Sequence, residues 1–221
     1  MVKGNEDTSY LNSLRELLLS LPDDHRFIII TGGGKAARDH IRIGRSLGSD
    51  EATLDWVGIA ATRLNAWLMI SCLGSNCHPI PAETIEEAII AAASSRFVIG
   101  GGTHPGHTTD AVAALIAERW SADHFINLTA VNGAYNADPN KFSNAEKIDS
   151  MTGSELVELV SDTSHGAGSH SVMDPLASRI IRRAGLRTSI LNGRDLKSLE
   201  NCLKDEPFDG TVIIGEKGDG L

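Results

Sequence analysis

The sequence predicts an α/β protein of three layers, with helices over both faces of a mainly parallel central sheet. Three observations carry this. Short β-branched runs recur along the chain, helical spacings fill the gaps between them, and glycine-rich segments follow two of the runs. A length of 221 residues with 41% hydrophobic content is enough for one large domain, expected to span residues 1–221.

The elements follow in order. Phe27 to Thr31, Phe97 to Ile99, Phe125 to Leu128, Thr188 to Leu191 and Thr211 to Ile214 read as buried strands, because each is a short apolar run rich in branched or aromatic residues. Between the first two, Asp55 to Cys72 reads as a helix whose Trp56, Ile59, Ala60, Leu64, Trp67 and Leu68 form a stripe expected to pack on the sheet. The three tryptophans are accordingly expected in the core rather than as stacking platforms. Helical patterns also cover Thr84 to Ala93, Asp110 to Trp120, Gly153 to Val160, Pro175 to Ala184 and Asp195 to Leu203. The polar, turn-rich stretch from Gly133 to Ser150 is expected to be a long surface loop.

Composition narrows the function. Twenty Lys and Arg against 29 Asp and Glu give a net charge of −9, which argues against a duplex nucleic-acid binder, since such proteins need a basic face. Small anions remain suitable ligands, because a few cations and backbone N–H groups hold a phosphate on an acidic protein. Cys72, Cys77 and Cys202 form no CxxC pair and read as reduced thiols of a cytoplasmic protein. The apolar runs read as too short and too interrupted to span a bilayer.

Ligands of such folds bind beyond the carboxyl ends of the strands, and glycine runs stand there twice. Gly32-Gly33-Gly34-Lys35-Ala36-Ala37-Arg38 follows the first strand: its glycines admit a phosphate close to the backbone, the next helix offers free N–H groups, and Arg38 can reach back with a planar fork. Gly100 to Asp110 follows the second strand and is rich in small residues, hydroxyls and N–H donors. Two anion-suited loops on one sheet edge imply two phosphorylated ligands. His104 and His107, with Asp110, have a metal-ligand spacing for a helix, but prolines and glycines make this a loop, so they read as donors to a phosphate or sugar and no metal site is assigned. Gly32-x-Gly34-x-x-Ala37 loosely fits a dinucleotide fingerprint, but Asp50, Glu51 and Asp55 open a helix instead of closing a second strand. Nor does GGGK match a P-loop.

The ordered blocks GGGKAARDHI, DWVGIAATRLNAWLMIS, GGTHPGHTTDAVAALIAE, LTAVNGAYNADPNK and AGSHSVMDPLASRIIRRAG resemble successive blocks of archaeal-type UMP kinases of the amino-acid kinase superfamily. The likeness runs from Gly32 to Gly210-Thr211, and GGTHPGHTTDAVAA is its most specific part. It implies the amino-acid kinase fold, ATP as phosphoryl donor with Mg²⁺, UMP as acceptor, and a cytoplasmic homohexamer without membrane or nucleic-acid partners. It further implies that Gly33 binds the UMP phosphate, that Asp55 contacts the UMP ribose, and that Thr103, His104, Pro105, Gly106, His107, Thr108 and Thr109 wrap the rest of UMP. Gly34 and Arg38 would lie at the ATP phosphates as the catalytic pair, with Thr129, Tyr135 and Asp138 holding the adenosine. A non-catalytic nucleotide-binding paralogue, or a kinase for another small phosphorylated or carboxylate substrate, is the alternative. The family opens with a strand and a Gly-Gly-Ser turn over the ATP phosphates, whereas Met1 to Asn5 aligns just after that turn, so the first strand is expected to be missing. Asn132 stands where the family usually has Asp, which removes a negative charge beside the ATP side.

Overall fold

A computed structural model describes residues 5–137, 139, 141–164 and 172–215. The chain divides into two compact units, Met1–Ile116 and Ala117–Leu221. It is an α/β protein with mostly parallel strands.

In the first unit β1 (Phe27–Ile30) pairs in parallel with β2 (Phe97–Gly100) in the register Phe27 to Phe97 through Ile30 to Gly100. Every residue of β2 is buried. Its other edge takes single parallel bridges from Cys77 and Ala82, with the N–H groups of His78 and Ala82 donating to Phe97 and Ile99. Phe27 stacks on Phe97 with ring centroids 5.2 Å apart. Around these strands lie α1 (Asn5–Ser20), α2 (Gly34–Ser46), α3 (Glu51–Leu73) and α4 (Ile85–Ala92). Helix starts follow capping chemistry. Asp50 accepts from the Thr53 N–H and Thr84 from the Glu87 N–H, each satisfying a donor the first turn leaves open. α1 has no counterpart in the sequence reading; it is anchored by Leu18, which is buried, and Leu21 just beyond it is buried too.

α3 corrects the expected packing face. Its buried residues are Leu54, Ile59, Thr62, Ala66, Met69, Ile70 and Leu73, whereas Trp56, Leu64, Trp67 and Leu68 stand 51%, 66%, 48% and 37% exposed. Of the predicted stripe, Ile59 alone is buried. The physical reason is that α3 is apolar nearly all round, so periodicity alone does not choose a side. The tryptophans are not core residues: Trp56 and Trp67 are exposed and Trp120 is half-buried. The same composition makes α3 longer and more apolar than the sequence reading allowed, a property that the core helix of a soluble protein shares with a membrane span. By length and composition Glu51–Asn76 is long and apolar enough to cross a bilayer, although about a third of that stretch is buried in the fold.

The second unit holds a four-stranded sheet in the order β3 (Phe125–Thr129), β7 (Thr188–Asn192), β8 (Gly210–Ile214) and β6 (Ser150–Thr152). β3 and β7 run parallel, as do β6 and β8, while β7 and β8 are antiparallel. α6 (Gly153–Ser164) packs with α7 (Pro175–Ala184), and α8 (Leu196–Leu203) lies against β7. α7 starts at an Asp174 cap with Pro175 behind it and stops at left-handed Gly185, each a residue suited to its end. α5 (Thr109–Trp120) contains the boundary between the units. The stretch from Gly133 to Ser150 is not a plain loop. It carries a small antiparallel pair, β4 (Ala134–Tyr135) on β5 (Lys147–Ile148), with Gly133 and Ala134 buried.

Candidate nucleotide cradle

The carboxyl ends of β1 and β2 lead into the two glycine loops, and one stripe of α3 fastens both. Asp55, Gly58, Thr62 and Asn65 follow one another at helical spacings of three and four, which aligns them on one side of the helix. The Asn65 amide donates to the Gly32 carbonyl at 2.6 Å, and the Thr31 hydroxyl donates to the Thr62 carbonyl at 2.9 Å. On the other loop the Gly102 N–H donates to the Thr62 hydroxyl at 2.7 Å, and the Gly106 N–H donates to the Asp55 carboxylate at 2.8 Å. Arg63, held by Glu83 at 2.7 Å, also donates to the Gly102 carbonyl. The loops meet: a Cβ added to Gly32 would stand 3.9 Å from the Thr109 hydroxyl.

Two glycines of the first loop have distinct reasons. Gly34 takes φ +59 as it enters α2, a conformation side chains other than glycine rarely accept. At Gly33 a Cβ would lie 2.5 Å from the Cβ of Ala37, so the turn closes on the helix only without one. Lys35 pairs with Asp39, whose carboxyl is held below its ordinary range by that lysine hydrogen bond. Arg38 is exposed and makes no hydrogen bond or ion pair among the described residues, which leaves its five donors available to an anion. In the second loop Thr103 is buried, Pro105 is half-buried, and His104, Gly106, His107 and Thr108 are exposed. The imidazoles of His104 and His107 stand edge to face, centroids 6.4 Å apart. The Thr108 hydroxyl accepts from the Ala111 N–H and caps α5, whose first residue is Thr109.

The structure therefore brings together the loop of Gly33 and Gly34, Asp55 and the segment from Thr103 to Thr109 within the first unit, with Arg38 one turn along the helix that the first loop opens. Thr62 and Asn65 were missed. Their signal was a run of small or polar residues, Asp55, Gly58, Thr62 and Asn65, at spacings of three and four in a largely apolar helix.

Thr129 and Tyr135 lie in the second unit, and Asp138 lies outside the described residues. Thr129 ends β3 and its hydroxyl is occupied, donating to the Val131 carbonyl and accepting the Val131 N–H. Tyr135 is half-buried in β4 opposite Lys147. The turn between them is bound to β8, where the Ala134 N–H donates to the Thr211 hydroxyl at 2.8 Å. Deeper in this unit the His124 ring nitrogen meets the Ser189 hydroxyl at 2.8 Å, and burial, then the nearby Arg187 guanidinium, pushes the imidazole down to about 4.

Comparison with known proteins gives the family of the chain. The model of the amino acid kinase family matches residues 1–192. A uridylate kinase of Methanococcoides burtonii is 45% identical over 211 residues, covering 96% of this chain and 90% of that protein. One from Methanothermobacter thermautotrophicus is 43% identical, covering 91% and 89%. The crystal structure of uridylate kinase from Archaeoglobus fulgidus superposes with a TM-score of 0.85 at 38% identity, covering 95% of this chain and 94% of that one. By its glycine loops, its mostly parallel strands and these near full-length relatives, the chain belongs to the amino acid kinase family.

Proposed function

We propose that the chain is a UMP kinase, transferring the γ-phosphoryl group of ATP to UMP to give UDP and ADP. The observation that carries the reading is the polar stripe of α3, which ties two glycine-rich, anion-suited loops into one cradle in a chain whose relatives at 37–45% identity are uridylate kinases. Gly33, Asp55 and the residues from Thr103 to Thr109 hold UMP. Gly34 and Arg38 meet the ATP phosphates, and Thr129, Tyr135 and Asp138 hold the adenosine. In-line phosphoryl transfer asks the protein chiefly to position two anions and neutralise spreading charge, work suited to backbone N–H groups and a guanidinium. Mg²⁺ enters with ATP, held by phosphate oxygens and water, so the chain need supply no cage of its own. The frame is one amino-acid kinase domain over residues 1–221, a three-layer α/β/α sandwich in the cytoplasm.

Self-association into a homohexamer belongs to the same reading. The exposed apolar side of α3, with Trp56, Leu64, Trp67 and Leu68, supports it as a surface suited to another protein. Light scattering on the purified chain tests it, and a monomer at micromolar concentration refutes it. For the activity, protein with Mg²⁺-ATP and UMP should form ADP and UDP and be thermally stabilised by UMP; failure of both overturns the proposal. Tight nucleotide binding without turnover would indicate a non-catalytic paralogue, and turnover of a different acceptor with UMP ignored would indicate another kinase.

A further inference from the structure

The turn between β3 and β4 is held by a chain of polar side chains in which the residue at 132 uses both ends of an amide. The Asn192 amide donates to the Asn132 oxygen at 3.0 Å, and the Asn132 amide nitrogen donates to the Asp209 carboxylate at 2.6 Å. The other Asp209 oxygen takes Lys147, which also reaches Asp149 at 3.3 Å. Lys147 is pushed above its ordinary range chiefly by the hydrogen bond to Asp209. The Asn192 oxygen in turn accepts the Arg194 N–H at 2.9 Å. Beside this chain the turn lies flush on β8. Gly133 takes φ +112, and a Cβ there would come within 2.5 Å of the Thr211 hydroxyl.

The polarity of the chain is matched at each contact. At hydrogen-bond distance the acceptor-only Asp209 oxygen is matched by a donor on residue 132, while the Asn192 nitrogen is matched by an acceptor there. An amide supplies one of each. A carboxylate at 132 would still accept from Asn192 but would face Asp209 with like charge at hydrogen-bond distance. We infer that Asn132 is a positioning residue matched to Asp209: it pins the turn that carries Thr129 and Tyr135 onto β8, and a neutral donor at 132 is what allows Asp209 to keep Lys147. Its role in nucleotide binding rests on the assignment of Thr129 and Tyr135 to the adenosine of ATP; the pairing itself does not.

The test is a double-variant cycle on the full chain with N132D, D209N and N132D/D209N, which exchanges donor and acceptor across the contact. N132D should raise KM for ATP about tenfold while KM for UMP moves less than about twofold, and adding D209N should return KM for ATP to within about threefold of the parent. Melting temperatures of the same four proteins without nucleotide should follow the same order, with the double variant above N132D. The inference is overturned if N132D leaves both KM for ATP and the melting temperature unchanged, or if the effects of the two substitutions simply add. Should the parent protein fail to phosphorylate UMP, the kinase assignment falls while the melting cycle still decides the pairing.

Discussion

Replacing Thr62 by valine asks how much of the cradle depends on one hydroxyl. The side chain is 6% exposed, its hydroxyl accepts the Gly102 N–H at 2.7 Å and donates to the Ile59 carbonyl at 2.6 Å, and valine keeps nearly the same volume. The substitution therefore removes hydrogen bonding and little packing. A buried N–H left without its acceptor costs about 1–3 kcal/mol. For a protein of this size that lowers the melting temperature by roughly 2–4 °C per kcal/mol, or about 2–12 °C in all. Because Gly102 leads directly into the segment assigned to UMP, KM for UMP should rise more than KM for ATP in steady-state kinetics. Thr62→Ser, which retains the hydroxyl, should recover most of both effects. If the valine variant melts within about 1 °C of the parent and binds UMP as well, the hydroxyl does not fasten the loop and the reasoning fails.

Three further outcomes are expected. Asp55→Ala removes the acceptor of the Gly106 N–H, and the loss of a charged hydrogen bond of about 1.5–3 kcal/mol should weaken UMP binding by roughly ten- to a hundredfold in calorimetry; unchanged affinity would exclude Asp55 from the site. Arg38→Ala should lower kcat/KM by about ten- to a hundredfold without lowering the melting temperature, since Arg38 is exposed and unbonded among the described residues. His124 is held neutral in the folded protein near an apparent value of about 4, below its ordinary 6.5. The unfolded chain therefore takes up the proton first: this contribution is full above about pH 6.5 and declines as pH falls towards about 4, on the order of 3 kcal/mol in total. Urea unfolding from pH 8 to 4 should show that decline in the parent and a flatter one in His124→Asn.

Strands and helix starts were legible because they rest on local chemistry. Branched runs such as Phe27 to Ile30 and Thr188 to Leu191 fit the interior of a sheet, and Thr84, Pro175 and Asp195 mark helix starts within a residue of those observed, whereas α3, read from Asp55, begins at Glu51 behind its Asp50 cap. The side that α3 buries was not legible, since Trp56 and Leu64 are as apolar as Leu54 and Met69 and tertiary packing makes the choice. The small β4–β5 pair was hidden because two-residue strands have no periodicity to read, and its hold comes from the distant Thr211. Of the site, the glycine loops were plain as strings. Their fastening through Thr62 and Asn65 was not, because partners more than thirty positions apart leave no mark in local sequence.

That fastening has a dynamic corollary. One helical turn secures the exits of two different strands, with Thr62 contributing its carbonyl to Thr31 and its hydroxyl to Gly102. Opening of α3 at that point would release both exits in a single event, so deuterium should enter the Gly102 amide, whose acceptor is the Thr62 hydroxyl, with protection similar to that of the α3 amides around Thr62, and a molecule that quiets one should quiet the other.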